Sequence, residues 1–124
     1  MVSDLAPDEI LTEIVVPVAR QSARYSFREF SRRRGDFAIV AAAIYFDPPD
    51  LAIGVTGLEP VPRLCAHLMD ELRANGFSHA GVDSAIDGEL AQASPNADLQ
   101  ASAEFRRHLT RVLLQDCLSE VLRS

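Results

Sequence analysis

An α+β fold is the class this sequence predicts: a small antiparallel sheet of three to four strands, then about three helices packed on one face. Three observations predict it. Alternating apolar patterns fall in the first half of the chain. Leucines at i, i+4, i+8 begin only after Pro62. Prolines and glycines punctuate the segments, with no repeat, low-complexity tract or linker between them. With 124 residues, 48% of them hydrophobic, the chain reads as a single domain, 1–124, able to bury a real core.

Glu9 to Val16 (EILTEIVV) predicts a strand, because Ile10, Ile14 and Val16 share one alternation phase and Pro17 ends it. Ala23 to Arg33 predicts a second. Tyr25 and Phe27 share a face there, and Phe30 is out of phase. Either a bulge near Arg28 and Glu29 corrects this, or Phe30 packs on the opposite face. Gly35 permits a tight bend. Phe37 to Phe46 then reads as a strand, because the turn DPPD (47–50) follows and Leu51 to Val55 returns as an antiparallel partner. Pro62 suits a first helical turn, and Leu64, Leu68 and Leu72 form a core stripe. Asn75-Gly76 is a left-handed stop. Val82 to Ala93 is a weaker helix with Ile86 and Leu90 inward, and its Gly88 costs about 1 kcal/mol against Ala. SPNAD (94–98) is a loop. Ser102 caps a last helix that runs to about Leu122. Its stripe is Leu109, Leu113, Cys117 and Val121, widened by Leu114 and Leu118.

Composition narrows the function. The net charge is −6, with 18 acidic against 12 basic residues, which argues against a general nucleic-acid binder. The apolar run 37–46 is about half of the roughly 20 residues a membrane span needs. The N-terminus has neither a basic region nor an apolar core, so no secretory signal is read. Cys65 and Cys117 match no metal or redox spacing and read as reduced core thiols of a cytoplasmic protein.

Few constellations carry chemistry. His67, His79 and His108 lack metal-ligand spacing, and His67 near Asp70 and Glu71 reads as a solvated helix face. Ser102, Glu104 and His108 are close in sequence but lack the geometry of a triad. No metal site is expected. Arg32-Arg33-Arg34-Gly35-Asp36 concentrates positive charge at a bend in an acidic chain. A strand cannot aim all three arginines one way, so a solvated strand end competes with a phosphate-bearing cofactor or a partner protein. Arg106 shares a face with Leu109, Thr110 and Leu113, so it must find a partner. Asp36 is the candidate for an internal clamp, with a ligand or another subunit as the alternative.

Three segments in order carry a resemblance: EILTEIVVP, then Phe27-Arg28-Glu29-Phe30-Ser31-Arg32-Arg33-Arg34-Gly35-Asp36-Phe37-Ala38, then SAEFRRHLTRVLL (102–114). Together they resemble the C-terminal domain of the FAD-binding medium subunit of molybdenum hydroxylases, a group that includes carbon monoxide dehydrogenase and the xanthine dehydrogenases. The resemblance covers nearly the whole chain. It implies an oxidoreductase assembly in which substrate is oxidised at molybdenum in a large subunit. Electrons then pass through iron–sulfur clusters to FAD in the medium subunit and on to an acceptor. It implies a domain that helps cover the flavin ring, with Arg28, Arg32 and Asp36 nearest it. Arg33 and Arg106 would meet a partner or brace the loop. Implied partners are the molybdopterin and iron–sulfur subunits or a flavin-binding domain, with a homo-oligomer as a further option.

The chain departs from the family pattern in three places. It lacks the Gly-rich pyrophosphate loop of the FAD-holding domain, so FAD binding by this chain alone is not expected. Arg28 and Glu29 stand where a lysine is common. Thr56-Gly57-Leu58-Glu59 replaces a Gly-Gly-Val-Ala-like turn. The expectation is therefore an excised domain or a stand-alone relative without the FAD-holding N-terminal domain. A repurposed small-molecule binder, a small non-redox biosynthetic enzyme and a dimerisation module are the alternatives.

Overall fold

Eight residues rich in Val, Ile and Ala, Val40–Asp47, form the central strand of the structure. The computed structural model describes residues 5–33 and 35–123. In chain order its elements are β1 (Arg24–Phe30), β2 (Val40–Asp47), β3 (Asp50–Thr56), β4 (Arg63–Leu64), α1 (Ala66–Ala74), α2 (Val82–Ala91) and α3 (Ala103–Val121). The strands form one antiparallel sheet in the order β1-β2-β3-β4.

Register decides what is buried. Ala42, Ile44 and Phe46 lie opposite Val55, Ile53 and Leu51, and all six are buried on one face. Leu68 and Leu72 of α1 and Leu114, Cys117 and Leu118 of α3 pack with that face in one core, which Ile86 of α2 joins. Helix α3 covers β1 and β2, α1 covers β3, and α2 touches both other helices. The predicted α3 stripe is buried throughout, and Ser102 Oγ accepts the Phe105 N–H at 3.1 Å as the cap. The stop after α1 holds too: Gly76 has φ +67°, and the Phe77 N–H closes onto the Leu72 carbonyl at 2.8 Å.

Several expectations are corrected. Residues 9–16 form no strand. Ile10, Ile14 and Val16 stand exposed, because within the described chain no sheet edge faces them. β1 needs no bulge, because its pairing with β2 is continuous from Arg24↔Phe46 to Phe30↔Val40. Phe30 therefore takes the helix side, edge-on to Phe105 at 6.0 Å, and Tyr25 and Phe27 face outward. β2 begins at Val40, because the sheet resumes only where the Ile39 N–H reaches the Phe30 carbonyl at 2.7 Å. Pro62 does not open a helix, since Arg63 and Leu64 extend the sheet and the Cys65 N–H bonds to Ile53 at 2.9 Å. Leu64 is exposed, and Met69 takes its expected place in the core. α2 ends at Ala91, two residues early.

Candidate functional site

The bend after β1 builds a small cleft of about 220 Å³, lined by Arg32, Arg33, Asp36, Phe37, Ile39 and Gln100. Local bonds shape it. Asp36 N–H donates to the Arg33 carbonyl at 3.1 Å, and the Asp36 carboxylate accepts the Phe37 N–H at 2.9 Å. Arg32 is tied to the Gln100 carbonyl. The Arg33 guanidinium has no hydrogen bond or ion pair among the described residues, and Phe37 beside it is 86% exposed. Arg34 lies outside the described residues.

Arg106 braces this bend where it ends, at Ile39. It is only 5% exposed. It donates to the carbonyls of Ile39 at 2.7 Å and Gly57 at 2.8 Å, and to Asp98 Oδ2 at 2.8 Å. One planar fork therefore joins the start of β2, the turn after β3 and the loop before α3. Arg106 holds the Asp98 carboxyl below its usual range, helped by the N–H groups of Ala101 and Gln100. The internal clamp is thus real, but its acid is Asp98 and not Asp36, which faces solvent at the bend. Gly57 fits the same crossing. Its φ is +81°, and a Cβ there would stand 2.0 Å from the Ile39 carbonyl oxygen.

Arg28 does not line the cleft. It points to the helix side of β1 and pairs with Glu120 at 2.9 Å, and Ser26 donates to the same carboxylate at 2.6 Å. The structure thus gathers Arg32, Arg33 and Asp36, ties Arg106 to the Ile39 end of the same bend, and keeps Arg28 on the open edge strand β1.

A second buried charge escaped the sequence reading. Glu89 is 1% exposed and accepts Arg63 Nε at 2.7 Å and the Leu68 N–H at 3.0 Å. It thereby caps α1, whose own preceding residue, Cys65, provides no side-chain cap. Arg63 also meets Glu59 at 3.3 Å. The Ser94 N–H, which donates to Glu59 at 2.7 Å, is the leading cause that keeps this acid below its usual range. The signal was present: Glu89 stands between the inward-facing Ile86 and Leu90. Burial pushes the Cys65 thiol up to about 12, with the Glu89 charge adding to it, and burial raises Cys117 too.

The histidines do not converge: His67, His79 and His108 line three different clefts. Among the described residues no group of three His, Cys, Asp or Glu could hold a metal. Also among them, no helix is long and apolar enough to cross a membrane. Buried side chains fill the interface between sheet and helices. An apolar groove of about 400 Å³ opens instead on the outer sheet face, among Phe27, Ala43, Gly54 and Leu64.

Comparison with known proteins places these features in a family. Residues 25–121 match the model of the CO dehydrogenase flavoprotein C-terminal domain. The chain is similar to the carbon monoxide dehydrogenase medium chain of Afipia carboxidovorans, 26% identical across 90% of this chain and 40% of that one. It is also similar to the nicotine 6-hydroxylase medium subunit of Paenarthrobacter nicotinovorans, 26% identical across 95% of this chain and 43% of the relative. It thus spans about two-fifths of the length of these relatives. In fold it superposes on carbon monoxide dehydrogenase from Hydrogenophaga pseudoflava with a TM-score of 0.77 and 19% identity, over 86% of this chain and 39% of that one. Quinoline 2-oxidoreductase from Pseudomonas putida gives 0.70 and 20%, over 82% and 37%. The chain belongs to the CO dehydrogenase flavoprotein C-terminal domain family.

Proposed function

We propose that this chain is an accessory domain of a FAD-containing electron-transfer subunit in a molybdenum hydroxylase, covering part of the flavin and contacting partner subunits. The observation that carries this reading is the family match over residues 25–121. In the full subunit the flavin would relay electrons from the iron–sulfur partner to the final acceptor. This chain's contribution would be a rim built from β1 and the bend after it. Arg28, Arg32 and Asp36 would lie nearest the flavin, Arg33 would meet a partner, and Arg106 would hold the bend in shape.

The residues fit a flavin's edge and not a whole dinucleotide. The cleft at the bend holds about 220 Å³, below the roughly 300–1,000 Å³ of pockets that enclose a ligand. Its Arg33, whose guanidinium has no partner among the described residues, and its exposed Phe37 suit a planar, electron-rich neighbour. Arginine cations near a reduced flavin favour its anionic form, so this rim would raise the ease of reduction. The same reading carries a cytoplasmic location and assembly with molybdopterin and iron–sulfur subunits.

The test uses the flavin-containing assembly bearing Arg28→Gln, Arg32→Gln or Asp36→Asn. A shifted flavin midpoint potential or altered flavin fluorescence is expected in at least one variant. Identical flavin properties in all three, with assembly intact, would remove these residues from the flavin's neighbourhood. The outer apolar groove of about 400 Å³ favours one second reading, a stand-alone domain that binds a small apolar molecule there.

A further inference from the structure

The cleft at the bend after β1 carries positive charge that the fold does not use. Acids outnumber bases in this chain, and Arg20, Arg28, Arg63, Arg73, Arg106 and Arg111 each pair with an aspartate or glutamate. Arg32 and Arg33 share their cleft with Asp36, yet neither pairs with it or with any other described acid. Arg32 gives one N–H to the Gln100 carbonyl. Its other donors, and all of those on the Arg33 side chain, have no hydrogen bond among the described residues.

Three kinds of group meet in this cleft. The two guanidiniums are planar forks suited to phosphate oxygens. The Asp36 carboxylate accepts the Phe37 N–H at 2.9 Å, which leaves it acceptor capacity for hydroxyl groups. Phe37 is 86% exposed and has no ring contact among the described residues, so its face is open to a stacking base. Cation, carboxylate and aromatic face match the phosphate, sugar and base of a nucleotide. A bare oxyanion would use the arginines alone and leave Asp36 and Phe37 without a role. At about 220 Å³ the cleft is smaller than pockets that enclose a whole ligand. It has room for the phosphate and sugar, with the base outside against Phe37.

We propose that this cleft binds a free nucleoside phosphate, with the phosphate on Arg32 and Arg33, the sugar hydroxyls on Asp36 and the base on Phe37. The proposal goes beyond the flavin reading and does not depend on it.

The test titrates AMP, inorganic phosphate and riboflavin separately into the flavin-free chain at low salt, followed by the amide NMR shifts of Arg33, Asp36 and Phe37. AMP should saturate with a Kd below about 1 mM, and inorganic phosphate should bind at least about tenfold more weakly. Arg33→Gln should weaken AMP about tenfold, the equivalent of about 1.4 kcal/mol. Phe37→Ser should weaken AMP about fivefold and leave phosphate binding unchanged. Arg107→Gln, which removes an arginine from a different cleft, should leave AMP binding unchanged. Arg33, Phe37 and Arg107 are all exposed, so the three variants should melt like the wild type. No saturation by AMP up to about 10 mM would overturn the proposal and leave the proposed function standing. Phosphate binding as tightly as AMP would reduce the cleft to an oxyanion site and overturn it. Equal losses with Arg107→Gln and Arg33→Gln would reduce the effect to overall charge and overturn it. Riboflavin binding as tightly as AMP would assign the aromatic face to a flavin ring, overturning this proposal while supporting the function proposed above.

Discussion

Replacing Arg106 with Met keeps an unbranched side chain in place and removes every donor. Two backbone carbonyls, Ile39 and Gly57, then lose hydrogen bonds of 2.7 and 2.8 Å at a site where the side chain is almost wholly enclosed. Leaving such a group unsatisfied costs about 1–3 kcal/mol each. Asp98 loses its cation as well, but it is half-exposed and water compensates it. The expected loss is about 3 kcal/mol, a large part of the roughly 5–15 kcal/mol that holds a domain together. For a urea slope of about 2 kcal/mol/M, the unfolding midpoint falls by about 1.5 M. Arg106→Lys should recover only part of this, because one ammonium cannot span three acceptors on two sides. Hydrogen exchange should quicken first at Ile39 and Val40, where the clamp meets the sheet. A midpoint for Arg106→Met within about 0.25 M of the wild type, about 0.5 kcal/mol, would refute the assignment of Arg106 as the structural brace.

Two glycines should respond in opposite ways. Gly57→Ala forces a Cβ onto backbone atoms of Ile39 at a left-handed φ and should cost more than about 2 kcal/mol in denaturant unfolding. Gly88→Ala presses only on the far end of the His67 ring, 2.5 Å away, so the roughly 1 kcal/mol of helix propensity should offset that displacement to within about 1 kcal/mol. Cys65 and Cys117 should resist iodoacetamide at pH 8 in the folded chain and both react in urea, as read by intact mass; burial raises both thiols. Asp98 and Glu59 are both depressed in the fold, so their stabilisation is present above their unfolded values and lost as pH falls through the folded ones. Melting temperature should therefore drop as pH is lowered below about 4, and Asp98→Asn with Glu59→Gln should flatten that drop. A slope equal to the wild type's would contradict these pairings.

What was legible in the sequence follows from what each signal reports. The α3 stripe from Leu109 to Val121 was readable because helical spacing is local and the face it names is the face it buries. Residues 9–16 show the limit of alternation, which reports a capacity to pair but not where the second edge is. Leu64 fitted a helical stripe with Leu68 and also a sheet edge. Pairing with Gly54 decided for the sheet, and no local pattern contained it. At the candidate site, Arg106 announced its need for partners by sitting on an apolar face. Two of its three acceptors are backbone carbonyls, which every residue carries, so nothing in the sequence pointed to Ile39 and Gly57. The gathering of Arg32, Arg33 and Asp36 was readable because the Gly35 bend is local. The inward acid Glu89 was readable by the same reasoning as Arg106, and only its partner Arg63 required the fold.

The central claim is that this domain works beside a flavin in a molybdenum hydroxylase. The most direct measurement is recovery of the tagged chain from its source cells at native expression, with molybdenum, iron and flavin quantified in the purified material. The account predicts all three, together with partner subunits, in fixed ratio to the chain. Recovery of the chain alone, free of flavin and metal, would contradict it.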